Sequence, residues 1–500
     1  MIAAPVSLPS GKVTTLAAPT VNSVKVFGRQ IAYKWVVAVV YVSALFLDIL
    51  DTTIVNVAIP ALGRELHTEN AEWVVLGYTL SLAVWIPTSG WLGDRFGTKR
   101  TFLFALMAFT AGSVLCGAAQ TIGQLIAFRV IQGVGGGMLT PVGLAMLFRA
   151  FPPVERARAA TLIMIPTLAA PALGPVLGGL IVTNISWRWI FLVNAPIGML
   201  ALWFGWRHLQ EHRHPASGRF DIAGFLLSGS ALALIVYALS EGPQSGWSSP
   251  VVVATGTIGV LAAIVMTVVE LRIPSPMLEL RLLGNRMFRQ CNLVGLFSIA
   301  SFLGVTFVMP LYLQLLRGMT PLASGLTTFP QAFGVMVSSL VAGRLYGRIG
   351  PRRLMTGGFL SAALAIALYV GLGLHTDLWL IRGLMFGRGL CMGFAFVPMQ
   401  AASYATIDPS QNGRASSIFS TQRQVGVSLG VAIMASVLAA HMSLSRAPLA
   451  NDVNRALTGV HWAFGIAVLL ALVAAVFAWF IRDEDAAATM IARKEAVPAV

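Results

Sequence analysis

About fourteen apolar runs, each close to 20 residues long, follow one another from position 36 to position 481. A run of that length is what an α-helix needs to cross a bilayer. In lipid every backbone polar group has to be satisfied within the segment, so helices are the only reading for them. The expected spans begin with 36–60 and 72–92 and end with 415–440 and 460–481. Composition agrees: 57% of the 500 residues are hydrophobic and 11% are charged, far from the balance of a soluble domain. The fold class is therefore an all-α polytopic membrane protein.

The net charge of +15 does not imply nucleic acid, because the basic residues form no soluble module. They fall in short loops, and in alternate ones: Arg95, Lys99 and Arg100; Arg149, Arg156 and Arg158; Arg207, Arg213 and Arg219; Arg272, Arg281, Arg286 and Arg289; Arg344, Arg348, Arg352 and Arg353; then Arg414. The opposite loops carry little beyond Arg64, Arg188, Arg317, Arg446 and Arg455. The positive-inside rule places both termini in the cytoplasm, which suits an even number of crossings. Residues 1–35 read as a disordered cytoplasmic tail without a secretory signal, and 483–500 as a second cytoplasmic tail. Cys116, Cys291 and Cys391 lie far apart in apolar runs and read as small buried hydrophobes.

The chain repeats itself. GWLGDRFGTKR at 90–100 returns as GRLYGRIGPRR at 343–353, Arg158-Ala159 returns as Arg414-Ala415, and Gly174 returns as Gly430. Two six-helix halves, 36–206 and 290–482, account for twelve spans; the linker 207–289 carries two inserted helices with no counterpart. Parallel repeats of this kind are a transporter architecture with a substrate site between the halves. In the first copy, Gly90, Gly93, Asp94, Arg95, Gly97, Lys99 and Arg100 are expected to form a tight charged turn at a membrane face, suited to locking and unlocking.

Asp48 and Asp51 lie deep in the first span, three apart and on one helix face. An Asp at a helix centre costs roughly 2.5–3.5 kcal/mol on insertion scales, so it faces a partner or a cavity. Two such acids in a dry setting can take up a proton and release it to either side; a structural Asp that caps or pairs inside the bundle is the alternative. Arg129 in the fourth span calls for an anion, and a first-span Asp is the economical partner; a snorkelling interfacial arginine is the alternative. The glycines after Arg129 lack the strand and the Gly-Lys-Ser/Thr of a phosphate loop and read as close helix packing. In the fifth span, Ala170, Gly174 and Gly178 are four apart, and Pro166, Pro171 and Pro175 predict a bend, which suits a pivot or seal. His208, His212 and His214 sit in a basic loop without companion ligands, so no metal is expected. Arg388 and Arg423 lie within late spans and are candidates to line the central cavity. No nucleophile–base set, nucleotide loop or folded extramembrane domain is present, so an enzyme or a receptor is not expected.

These motifs together resemble the major facilitator superfamily, in particular its fourteen-span drug:proton antiporter branch (the EmrB/QacA type). The charged turn matches the signature loop; LDTTIVNVAIP at 50–60 matches the first-span motif with Asp51, Asn56 and Pro60; Arg129, Gln132 and Gly133 match the fourth-span motif. Gly174, Pro175, Gly178 and Gly179 match the fifth-span antiporter motif, with Ala170 in place of its usual first glycine, and WRWIFLVNAPIG at 187–198 is similar to the opening of the sixth span. Asp48 departs from the pattern. The resemblance implies the major facilitator fold with 14 transmembrane helices. It implies proton coupling at Asp51, Asp48 and Arg129, gating at 90–100, and cavity lining by Asn56, Gln132, Arg388 and Arg423. The implied function is proton-driven multidrug efflux of amphiphilic neutral or cationic compounds across the cytoplasmic (inner) membrane by alternating access. The expected partners are the substrate, protons and membrane lipid; no cofactor beyond the proton gradient is expected, and a periplasmic adaptor stays open. A dedicated exporter of an endogenous metabolite, lipid or siderophore fits the same sequence.

Overall fold

The computed structural model describes residues 23–26, 28–66, 71, 73–213, 220–273, 276–442 and 452–490. The first half contains α1 (Tyr33–Glu65), α2 (Trp73–Trp85), α3 (Ser89–Phe96), α4 (Thr98–Ala118), α5 (Ile122–Ala150), α6 (Arg156–Asn184), α7 (Trp189–Leu192) and α8 (Asn194–His208). The inserted pair is α9 (Ile222–Ser245) and α10 (Pro250–Arg272). The second half contains α11 (Arg286–Leu311), α12 (Pro321–Ile349), α13 (Pro351–Ala367), α14 (Leu378–Ser403), α15 (Asn412–Ala439) and α16 (Val453–Trp479). Among the described residues, 13 helices are long and apolar enough to cross a membrane, and the pair α2 and α3, bent by 54°, makes 14.

Polar side chains start several spans. Thr121, Asp221, Asn285, Thr320 and Asp377 each accept a hydrogen bond from a first-turn N–H that the helix itself cannot satisfy. Glycine then sets how closely the spans approach. A Cβ at Gly133 would come within 2.7 Å of the Tyr78 carbonyl on α2, and one at Gly135 would strike the Ala105 carbonyl on α4. Packing, as the sequence suggested, is what the glycine run of α5 does.

The structure corrects three expectations. The stretch 1–35 is not wholly disordered. Ser23–Val26 and Arg29–Ala32 pair as an antiparallel hairpin turning at Gly28 (φ 80°), and α1 begins at Tyr33. Val26 is buried in the hydrophobic core, which gives this hairpin an anchor; residues 1–22 lie outside the described part. The stretch 483–500 is not simply a tail either: Asp483–Thr489 winds into a 3₁₀ turn, and Thr489 shares a 2.6 Å hydrogen bond with the Tyr346 hydroxyl. Finally, the stretch 90–100 is mostly helix. α3 runs through Phe96, α4 starts at Thr98, and Gly97 alone, at φ 98°, turns the chain. A left-handed φ costs glycine nothing, so one residue suffices. α6 is one helix from Arg156 to Asn184, unbroken at Pro166 and Pro171.

Candidate functional site

The first-half helices converge on Asp51, which is fully buried. Arg129 of α5, also fully buried, donates from Nη1 to Asp51 Oδ2 at 2.5 Å. The other carboxylate oxygen accepts from Gln132 Nε2 and from Asn194 Nδ2, both at 2.9 Å. Arg129 in turn donates to Gln132 Oε1 at 2.7 Å and to the Val74 carbonyl at 3.0 Å, and its guanidinium lies 4.1 Å from the Tyr78 ring centre. Asn194 reaches Ser113 at 3.0 Å, tying α8 to α4. Four first-half helices, α1, α2, α5 and α8, thus meet at one ion pair, and Asn194 links it to a fifth, α4. Its stability depends on that completeness: removing one partner of a buried pair costs about 3–5 kcal/mol, since the other charge is left behind.

Asp48 lies one helical turn away with different company. The Tyr78 hydroxyl donates to its Oδ1 at 2.5 Å, and Thr140 of α5 lies 3.5 Å from its Oδ2. Across the molecule, Arg423 of α15 lies within electrostatic reach of Asp48 and of Tyr41. Asp48 is thus held by α2 and α5, while Asp51 is sealed among α5 and α8.

The two halves meet at their arginine-rich ends. Asp94 of α3 is 3.4 Å from Arg414 of α15, and the hydroxyls of Ser89 and Ser417 are 2.9 Å apart. Gly90 permits this contact: a Cβ there would stand 2.7 Å from Ser417 Oγ and 2.8 Å from the Gly413 carbonyl. Thr161 of α6 donates to the Ser339 carbonyl of α12 at 3.1 Å, and Arg156 donates to the Tyr404 carbonyl. Gly93 is buried beside Asp94, whereas Arg95 points into the surroundings. The N–H groups of Lys99 and Arg100 donate to the two carboxylate oxygens of Glu211, at 3.0 and 3.2 Å, while Lys99 Nζ donates to the Trp206 carbonyl at 2.8 Å and Arg100 Nε lies 3.7 Å from Glu211 Oε2. The second copy of the loop uses the same device, with Arg352 N–H donating to Asp483 at 2.9 Å next to Gly350 (φ 88°).

The family description "Major Facilitator Superfamily" matches residues 41–431 and 291–499. The chain belongs to the Major Facilitator Superfamily. The "Multidrug resistance protein B homolog" of Mycobacterium tuberculosis is 36% identical over 396 residues, 78% of this chain and 73% of that protein. The "Puromycin resistance protein pur8" of Streptomyces alboniger is 34% identical over 463 residues, 90% of this chain and 92% of that one. The crystal structure of the human organic anion transporter MFSD10 (TETRAN) shares the fold, with a TM-score of 0.62 and 17% identity over 88% of this chain and 99% of that chain. Members of this family are multi-pass membrane transporters rather than enzymes.

Other residues singled out in this facilitator separate on inspection. Gln132 and Arg388 are both fully buried, so neither lines an open cavity. Arg388 donates to Gln331 at 2.5 Å and to the Phe302 carbonyl at 2.8 Å, inside the second half. Asn56 is exposed and bonds back to the Thr52 carbonyl at 3.1 Å. Gly174 lets α6 approach α1, since a Cβ there would be 2.8 Å from Thr53 Cβ. Gly178 is buried, whereas Gly179 has open space where a Cβ would stand. The side chains of Pro60 and Pro175, and the whole of His214, lie outside the described residues; His208 and His212 are close to backbone carbonyls. No group of three or more metal-ligating side chains occurs among the described residues. Tyr78, Ser113, Asn194, Glu211 and Glu279 join these sites beyond the residues that the sequence points to. Asn194 stood inside the quoted WRWIFLVNAPIG motif, which was its available signal; the others had none.

Proposed function

We propose that this facilitator exports amphiphilic neutral or cationic compounds across the cytoplasmic membrane in exchange for protons, with both termini in the cytoplasm. The observation that carries the proposal is the sealed pair of Asp51 and Arg129 at mid-span, completed by Gln132 and Asn194. An ionised Asp51 holds Arg129. A proton on Asp51 removes the attraction and leaves Arg129 to Gln132, the Val74 carbonyl and the Tyr78 ring, so α1, α5 and α8 are free to repack. That couples one proton-binding event to a change in helix packing, which is what alternating access requires. Asp48 extends the coupling toward the second half, and the closed end at Asp94 and Arg414 is the cytoplasmic gate. No cofactor takes part, because the proton gradient supplies the work. The multidrug and puromycin resistance named for the relatives supports the substrate class.

The test is efflux of a lipophilic cation from proteoliposomes under an imposed pH difference. Gradient-driven transport is expected in the unaltered chain and not in Asp51→Asn. Equal transport with no pH difference and no voltage, or full transport by Asp51→Asn, overturns the reading.

A further inference from the structure

The inserted pair α9 and α10 has no counterpart in the repeat, yet it touches both halves at once. On the first half, Phe220 stacks edge-on against Trp91 of α3 with ring centres 4.8 Å apart. Above it, Phe225 lies 5.5 Å from Trp85 and Tyr237 lies 6.2 Å from Trp73, so α9 follows α2 along its length. On the second half, Trp247 donates from Nε1 to the Ser436 hydroxyl of α15 at 2.8 Å. Between these ends Leu232 and Val236 pack with Ala83 of α2 and Val425 of α15. α9 therefore packs on α2 and on α15 and bridges the two halves.

The loop that follows α10 reaches the gate itself. Glu270, fully buried near the end of α10, accepts from the Leu278 N–H at 3.3 Å and so fixes the start of that loop. Glu279 then accepts from Arg414 Nη1 at 2.9 Å, while Nε of the same guanidinium faces Asp94 at 3.4 Å. Arg281 lies 3.7 Å from the other oxygen of Glu279. One arginine of the second half is thus shared by a carboxylate of the first half and a carboxylate of the insertion. Side-chain exposures of 18% for Arg414, 10% for Glu279 and 4% for Asp94 keep this trio out of bulk solvent, where screening would cancel most of its attraction.

We infer that the inserted pair is a strap from α2 to α15, and that Glu279 is a positioning residue that holds the gate shut by keeping Arg414 on Asp94. A long arginine side chain has several rotamers, and a second carboxylate on its far side selects the one that reaches Asp94. Opening this end must pull Arg414 away from Asp94, from Glu279, or from both. The strap thereby sets how readily the gate yields. This rests on the alternating access proposed above, but not on proton coupling or on any substrate.

The test uses the full chain in nanodiscs with Cys116, Cys291 and Cys391 replaced by Ala and cysteines introduced as Ser89→Cys and Ser417→Cys. The rate of disulfide formation between the two then reports gate closure. Glu279→Gln is expected to slow it about tenfold, the size expected from losing one charge-assisted hydrogen bond, at an unaltered melting temperature, and Glu279→Asp is expected to restore most of the rate. Phe220→Ala, which loosens the other flank of the strap, is expected to slow it as well and serves if Glu279→Gln does not fold. If both leave the rate unchanged while Asp94→Asn lowers it, the strap is overturned and the gate stands. If Asp94→Asn also changes nothing, the strap is overturned together with the cytoplasmic gate.

Discussion

The hydroxyl of Tyr78 donates a 2.5 Å hydrogen bond to Oδ1 of Asp48. The ring of the same tyrosine lies 4.1 Å from the guanidinium that holds Asp51. One side chain of α2 therefore touches Asp48 itself and the partner of Asp51. A change of charge at either acid is felt at Tyr78, directly for Asp48 and through Arg129 for Asp51.

Asp51→Asn removes the anion and leaves Arg129 buried with neutral acceptors only. The expected loss is about 3–5 kcal/mol of stability, together with gradient-driven transport. The double variant Asp51→Asn/Arg129→Gln should regain most of the stability and none of the transport. Thermal unfolding in detergent and efflux from proteoliposomes measure the two; wild-type melting of the single variant would contradict the buried pair.

Tyr78→Phe keeps the ring on Arg129 but deprives Asp48 of a donor, for an expected loss of about 1.5–3 kcal/mol. Gly136→Ala attacks the same bond from α5, because a Cβ there would strike the tyrosine hydroxyl and stand 3.1 Å from Asp48 Oδ1. The two act on one contact, so the double variant should be less destabilised than the sum of the singles. Additive losses would place Gly136 outside this contact.

Gly90→Val should prop the gate apart, since the Gly413 carbonyl in its way is backbone and cannot rotate aside. A cysteine placed by Ser417→Cys is expected to react several-fold faster with a charged maleimide in the Gly90→Val background than in the Gly90 chain. An unchanged rate would mean that this end yields without opening.

Glu211→Ala and Asp483→Ala each strip first-turn N–H groups of a carboxylate beside a left-handed glycine, the first at α4 and the second at α13. Each is expected to cost about 1 kcal/mol, as for other helix N-terminal partners. Unfolding in increasing denaturant tests whether the two losses match, as the repeat predicts; a null effect at one end would break the functional equivalence of the two loops.

Much of the fold was legible because a bilayer leaves so few options. Apolar runs near 20 residues long can only be helices, and α1 and α15 fall on theirs with ends shifted by a few residues. The errors came where burial by lipid did not decide. The hairpin at 23–32 depends on Val26 finding the core, and the Asp483–Thr489 turn depends on Tyr346. The stretch 90–96 is polar and rich in glycine, which suggests a turn, but packing of α3 against α15 and α4 holds it helical. Glu211 lies 112 residues from the Lys99 amide and Asp483 lies 131 from the Arg352 amide, so nothing local announced either partner.

By itself the sequence determined how many times the chain crosses the membrane, that its halves repeat, and that Asp48, Asp51 and Arg129 lie where lipid tolerates no lone charge. These follow from the length and polarity of contiguous segments, which are local properties. Only the tertiary structure decided which charges meet: that Asp51 is sealed with Arg129, Gln132 and Asn194, that Asp48 is held by Tyr78, and that Arg414 is shared between Asp94 and Glu279. Pairing is a matter of a few ångströms between helices far apart in the chain, and that distance is set by how glycines and bulky side chains let those helices pack.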